Sequence, residues 1–205
     1  DGKSSTKAGA REIPRVHIRP KEVIIMALQQ KQFYTIEDIY SLPDGHRAEL
    51  IDGQIYNMAP PSTTHQRLVF RLSSIIDNYI QQKNGICEVF ISPFAVFLNE
   101  DDRNYVEPDI SIICDKNKLD DRGCHGAPDW IIEVTSPSDP QRDYGIKLFK
   151  YRTAGVREYW IVNPQKKTVM VYDFEKNLFS NQYNFGDDIP VCIYNDFIIN
   201  VSKLI

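Results

Sequence analysis

No run of about 18 apolar residues occurs anywhere in the 205-residue chain, which gives no candidate membrane-spanning helix. A charged, apolar and then small-residue leader is missing as well, so the expectation is a cytoplasmic protein that makes no use of a membrane. Cysteine is sparse. Without an export signal the four residues, Cys87, Cys114, Cys124 and Cys192, are expected as reduced thiols. Cys114, Cys124 and His125 lack the paired CxxC spacing of a structural zinc site. Neither a GxGxxG nor a Walker loop is present, so the chain carries no nucleotide-reading motif. Nor is there a basic excess: 24 Lys and Arg stand against 28 Asp and Glu, a net charge of −4. That balance argues against a non-specific nucleic-acid binder held by charge alone.

The charge is unevenly spread. Residues 1–25 carry six basic and three acidic residues, a net +3 that leaves −7 on residues 26–205. The segment is polar and without periodicity, and is expected to be disordered, as an upstream extension or vector-derived stretch ahead of a plausible start at Met26. Residues 26–205 are expected to form one domain, long enough to bury most of its unfolded surface.

"AELIDGQIYNM" (48–58) is two apolar runs around Asp52-Gly53, a hairpin signal. "PPSTTHQRLVFRLSSIIDNYIQQKNG" reads as a helix, with Ser62 to Thr64 able to cap it and Asn84-Gly85 able to close it. Its apolar stripe is Leu68, Val69, Leu72, Ile75, Ile76, Tyr79 and Ile80. Strands follow in 87–100 and 105–115, then a loop at 115–127 and a strand at 129–135. A helix is expected over about 140–154, ending at Gly155, then a hairpin across Asn163–Lys166 and a mixed tail. The fold class is α+β, a mixed or antiparallel sheet flanked by helices.

Three carboxylates interrupt or flank apolar strands: Glu49, Asp109 in "VEPDISII", and Glu133 in "PDWIIEVTSPS". Alone, Glu49 reads equally as a strand-edge surface residue and Asp109 as a turn residue. Glu133 breaks a run expected to be buried on both faces, where a carboxylate needs a partner. Together the three favour a shared site for a hard cation such as Mg²⁺. Asp129 is excluded from it, because residues four apart on a straight strand lie about 13 Å from each other. Asp109, on a neighbouring strand, can approach Glu133 across one ladder spacing.

The segments "AELIDGQIYNMAPPSTTHQ", "VEPDISII", "PDWIIEVTSPS" and "DYGIKLFKYRTAGVREYWIVNP", in that order, resemble the Uma-two family of restriction-endonuclease-like proteins within the PD-(D/E)XK nuclease superfamily. The resemblance spans about residues 34–199. It implies a restriction-endonuclease-like core and metal-dependent phosphodiester hydrolysis, with DNA the first-choice substrate. It also implies Asp109 and Glu133 as ligands of Mg²⁺ (or Mn²⁺), with Glu49 at the further acidic position. One departure matters. The superfamily lysine belongs two residues after the acid, where this chain has Thr135, and the resemblance points instead to Lys147. Asp143, Lys147 and Tyr151 fall on one helix face, which would carry the ammonium to the carboxylates if that face meets the sheet. Otherwise Asp143 and Lys147 are a surface pair, and Lys150 is the lesser candidate. His65 and Gln66 stand at a helix N-terminal turn, where an anion is favoured; His65 reads equally as a core histidine with a backbone partner. A scaffold of the same fold that binds without cutting, and a nuclease acting on RNA, are the rival readings. A homodimer is expected, because cutting both strands needs two sites.

Overall fold

A computed structural model describes residues 33–136, 142–176 and 180–205. The basic segment 1–25, together with 26–32, lies outside the described residues.

The 48–58 stretch folds as the expected hairpin: β1 (Ala48–Ile51) pairs antiparallel with β2 (Gln54–Asn57). Asp52 and Gly53 make its turn at φ 50° and 73°, a left-handed pair that the Asp-Gly sequence tolerates. A short helix, α1 (Ile36–Tyr40), precedes it. The stripe-bearing helix is α2 (Thr63–Gln82), and the Ser62 hydroxyl caps it by accepting the His65 N–H. Asn84, just beyond it, has φ 51°, as a closing residue should. Leu68, Val69, Leu72, Ile76 and Ile80 are buried as predicted, with Ile75 and Tyr79 at the edge of the stripe.

After α2 come β3 (Glu88–Ile91), β4 (Val96–Phe97) and β5 (Ile110–Ile113). The expected loop at 115–127 is not featureless: a 3₁₀ turn leads into β6 (Leu119–Asp120) and β7 (Gly123–His125), which join β4 in a small three-stranded sheet. Polar turn residues disguise these two- and three-residue strands in the sequence. Gly123 shows what the pairing requires, since a Cβ there would sit 2.3 Å from the Ala95 carbonyl.

Then follow β8 (Trp130–Val134), β9 (Glu158–Asn163), β10 (Thr168–Asp173), β11 (Ser180–Asn184), β12 (Ile189–Pro190) and β13 (Ile198–Ile199). The main sheet runs β11-β10-β9-β8-β5-β3, with β8 and β9 parallel and every other pair antiparallel. Alternation along β8 divides its side chains. Trp130, Ile132 and Val134 meet the α2 stripe, while Ile131 packs with Tyr151, Tyr159 and Ile161 on the other face. That second face is covered by α3 (Leu148–Ala154), closed by Gly155 at φ 99°.

The helix expected over 140–154 is not uniform. Residues Arg142–Lys147 form a π-helical turn, and regular helix begins only at Leu148. Residues 140 and 141, the start of that expectation, lie outside the described residues. The cysteine expectation also needs correcting. Cys87 and Cys114 stand opposite each other just beyond the β3–β5 pairing and form a disulfide, while Cys124 and Cys192 stay free. The sequence places these two residues 27 apart and gives no hint that a strand pairing unites them. Among the described residues, no helix is long and apolar enough to cross a membrane.

Candidate active site

One step beyond the Ile110–Ile132 pair, the β5–β8 register sets Asp109 opposite Glu133. The two acids interlock through the main chain. Val134 N–H donates to Asp109 Oδ2 at 2.7 Å, and Asp109 N–H approaches Glu133 Oε2 at 3.4 Å. Asp129 lies at the far end of β8, where it accepts Cys114 N–H at 2.8 Å and pairs with Arg157 at 3.1 Å. It serves the sheet and stays away from the acidic pair.

Lys147 reaches this pair from the π-helical turn. Its Nζ lies 2.8 Å from Glu133 Oε1 and 2.9 Å from Glu49 Oε1, and the whole side chain is buried. Tyr151, one turn on, donates its hydroxyl to Glu133 Oε1 at 2.7 Å. Asp143, Lys147 and Tyr151 therefore all serve one region. Lys150 points elsewhere and pairs with Asp52 on the hairpin turn. Thr135, two residues after Glu133, is buried and continues the ladder by donating its N–H to the Val162 carbonyl.

Glu49 reaches the site from β1. Its Oε1 accepts both the ammonium and Glu107 N–H at 3.1 Å, while Oε2 has no hydrogen-bond donor among the described residues. His65, from the first turn of α2, holds Asp109 Oδ2 through Nε2 at 3.0 Å. The Asp109 carboxylate is a partner that neither reading of His65 named, and the Val134 backbone also acts on the ring. Gln66, the next residue, lines the same cleft and is exposed.

The cleft these groups share has a volume of about 730 Å³. Four carboxylates line it (Glu49, Asp109, Glu133 and Asp143), with Arg47, Arg142, Lys147 and His65. Burial pushes the Glu133 carboxyl up to about 8; Lys147 opposes this, and Asp109, Asp143 and Glu49 add to it. Burial likewise raises Asp143 to about 6 against the pull of Lys147. Burial works against the Lys147 charge, but Glu133, Glu49 and Asp143 outweigh it and hold the ammonium well above its ordinary value. His65 is also raised: burial works against its charge, but the hydrogen bond to Asp109, the charge of that carboxylate, the Val134 backbone and Asp143 together outweigh it.

Two residues of the site escape sequence reasoning. Arg47 stands on the cleft wall, anchored by Glu107 and by Ser92 Oγ at 2.7 Å. Arg142 lies 3.8 Å from Glu49 Oε2 and over the Tyr56 ring. A signal for Arg47 did exist, since it stands two residues before Glu49 and shares its strand face.

Among the described residues, no three Asp, Glu, His or Cys side chains converge closely enough to hold a metal ion between them. Glu49 turns its Oε1 to Lys147. The donor set still suits a hard cation. Mg²⁺ commonly takes one or two carboxylates and keeps several waters, and the facing Asp109 and Glu133 carboxylates fit that pattern.

Comparison with known proteins agrees with this architecture. A crystal structure titled as "a putative nuclease belonging to DUF820" from Anabaena variabilis superimposes with a TM-score of 0.68 at 21% identity. The match covers 83% of this chain and 96% of that one, which establishes the shared fold. Two Synechocystis proteins, slr1290 and sll1609, are each 30% identical, over 125 and 120 residues. Those matches cover 60% and 57% of this chain and 64% and 66% of the relatives, so each spans just under two thirds of the relative's length. The family model Uma2, described as "Putative restriction endonuclease", matches residues 31–193, and the chain belongs to that family.

Proposed function

We propose that this protein is a divalent-metal-dependent nuclease that hydrolyses phosphodiester bonds, with DNA as substrate, in the cleft between α2 and the π-helical turn. The observation that carries the reading is the Asp109–Glu133 pair with the buried Lys147 ammonium nitrogen 2.8 Å from Glu133. Asp109 and Glu133 would hold Mg²⁺ or Mn²⁺. That ion, when bound, would orient and acidify a water and offset charge on the phosphodiester. His65 fixes the Asp109 carboxylate and Tyr151 fixes that of Glu133, which limits their reorganisation. The Lys147 ammonium keeps its proton, so it acts as a positive charge beside the reacting phosphate and not as a base. Arg47, on the wall and tethered by Glu107, suits a non-bridging phosphate oxygen. Double-strand cutting on this plan calls for two copies, hence a homodimer.

One observation favours a second reading. Lys147 already bridges Glu49 and Glu133, so the acidic cluster is partly neutralised without a metal. A protein that binds nucleic acid without cutting it would keep that bridge. Titration calorimetry with Mn²⁺ separates the two. Wild type is expected to bind the ion, while Asp109→Asn and Glu133→Gln remain folded and do not. Mn²⁺ affinity surviving in both variants would overturn the metal site, and wild type failing to bind would favour the second reading.

A further inference from the structure

The wall of the cleft does not end the contact surface of α2. Ser62, Thr64, His65, Gln66 and Val69 face the cleft, and Phe70 follows directly, one helical turn beyond Gln66. Its ring is 66% exposed. A lone exposed aromatic is ordinary on a protein surface, but this one has company. Arg67 lies one turn before it and Arg71 directly after it, both exposed. Among the described residues neither arginine forms an ion pair, whereas Arg47, Arg142 and Arg157 each face a carboxylate. In a chain with an acidic excess, two unneutralised guanidinium groups around an uncovered ring form a site complementary to phosphate and to a π-face.

We infer that Arg67, Phe70 and Arg71 bind an unpaired nucleotide of the substrate strand, its base stacked on Phe70 and its flanking phosphates on the arginines. The inference rests on the nuclease reading and adds a substrate preference to it: single-stranded nucleic acid, or a strand unpaired beside the scissile bond. A duplex keeps its base faces inside the stack, out of reach of a ring on a helix surface. The offset fits as well. Phe70 lies about 6 Å along the helix from Gln66 at 1.5 Å per residue, so a strand leaving the cleft meets it within one or two nucleotides. Stacking on an aromatic ring tolerates any base, so the site selects strandedness over sequence.

The test is fluorescence anisotropy at low salt in EDTA, with labelled 12-nucleotide probes: single-stranded DNA, RNA of the same sequence, and the DNA duplex. No metal or cleavage is needed, and every variant carries residues 1–25 alike. Phe70→Ala should weaken single-strand binding by about five- to a hundredfold, the range for losing one base–aromatic stack, and leave duplex binding within about twofold. Phe70→Trp should regain the loss. Arg67→Gln/Arg71→Gln should weaken strand and duplex alike and flatten the salt dependence. Whichever strand, DNA or RNA, binds tighter through Phe70 identifies the source of the nucleotide. The inference is overturned if wild type binds no single strand, or if Phe70→Ala binds it as tightly as wild type. Equal loss of strand and duplex in Phe70→Ala, or no recovery in Phe70→Trp, also overturns it. Phe70-dependent binding with no Mn²⁺ at Asp109 and Glu133 would instead defeat the nuclease reading, leaving the nucleotide contact of Arg67, Phe70 and Arg71 as a binding site without a scissile bond.

Discussion

Lys147 concentrates the energetics of the site in one side chain. Its ammonium bridges two buried carboxylates, and removing one partner of such a cluster strands the others in a poorly solvating environment. Lys147→Met should therefore destabilise the metal-free protein by about 3–5 kcal/mol at pH 8 in urea unfolding. The loss should be smaller near pH 5, where Glu133 can take up a proton, and Mn²⁺ should restore part of it. Wild type itself carries a pH signature. Glu133 and Asp143 are raised from ordinary carboxylate values to about 8 and about 6. Above pH 4.5 the unfolded chain releases these protons while the native state retains them. The native state then binds more protons, and stability falls as pH rises. Thermal unfolding without metal should thus show a decline from about pH 5 to pH 8, and Glu133→Gln should flatten it. A flat wild-type profile would show that Glu133 ionises normally. Much of this site was legible in the sequence, because acids inside apolar strands demand partners. What the sequence concealed was who the partners are: Lys147 shares itself with Glu49 as well as Glu133, and His65 turns to Asp109.

Among the elements, β8 was the plainest to read: five buried residues with one acid among them. The π-helical turn was the hardest. Helical spacing of Asp143, Lys147 and Tyr151 predicts one face correctly, but no residue pattern announces that Arg142–Lys147 winds with a wider turn. The short strands β6 and β7 escaped because strands of two or three residues carry no periodicity. The tail forms the expected mix of short strands and loops, with Ile189, Val191, Ile199 and Val201 packed into the core. A buried acid that the sequence reading did not single out also holds it. Glu158 on β9 accepts Trp160 Nε1 at 2.6 Å and the N–H groups of Cys192 and Ile193 at 2.9 and 3.0 Å. It thereby ties the segment after β12 to the sheet. Glu158→Gln would turn an amide NH₂ toward at least one of these donors. A loss of about 1–3 kcal/mol is expected, the cost of one unsatisfied buried donor. Chemical denaturation checks it, and an unchanged midpoint would show that the tail is held by packing alone.

For the whole molecule, charge and architecture pull in different directions. The net −7 over residues 26–205 opposes nucleic-acid binding, while the cleft gathers Arg47, Arg142 and Lys147 and α2 carries Arg67 and Arg71. On the proposed reading, binding is expected to be local and cation-assisted, weak without metal and falling steeply with salt. The fold class and the adjacency of the strands that bear Asp109 and Glu133 could be anticipated from periodicity and from the resemblance to the Uma-two family. The Cys87–Cys114 link could not, since it depends on β3 and β5 meeting across 27 residues. Whether the cleft cuts a phosphodiester is decided most directly by single-turnover cleavage of single-stranded and plasmid DNA in Mg²⁺ and in EDTA. Wild type should cleave only in Mg²⁺. Asp109→Asn and Glu133→Gln should lose both cleavage and Mn²⁺ binding, and Lys147→Ala should lose most cleavage while keeping the ion. Cleavage by wild type in EDTA, or undiminished cleavage by Asp109→Asn and Glu133→Gln, would contradict the account.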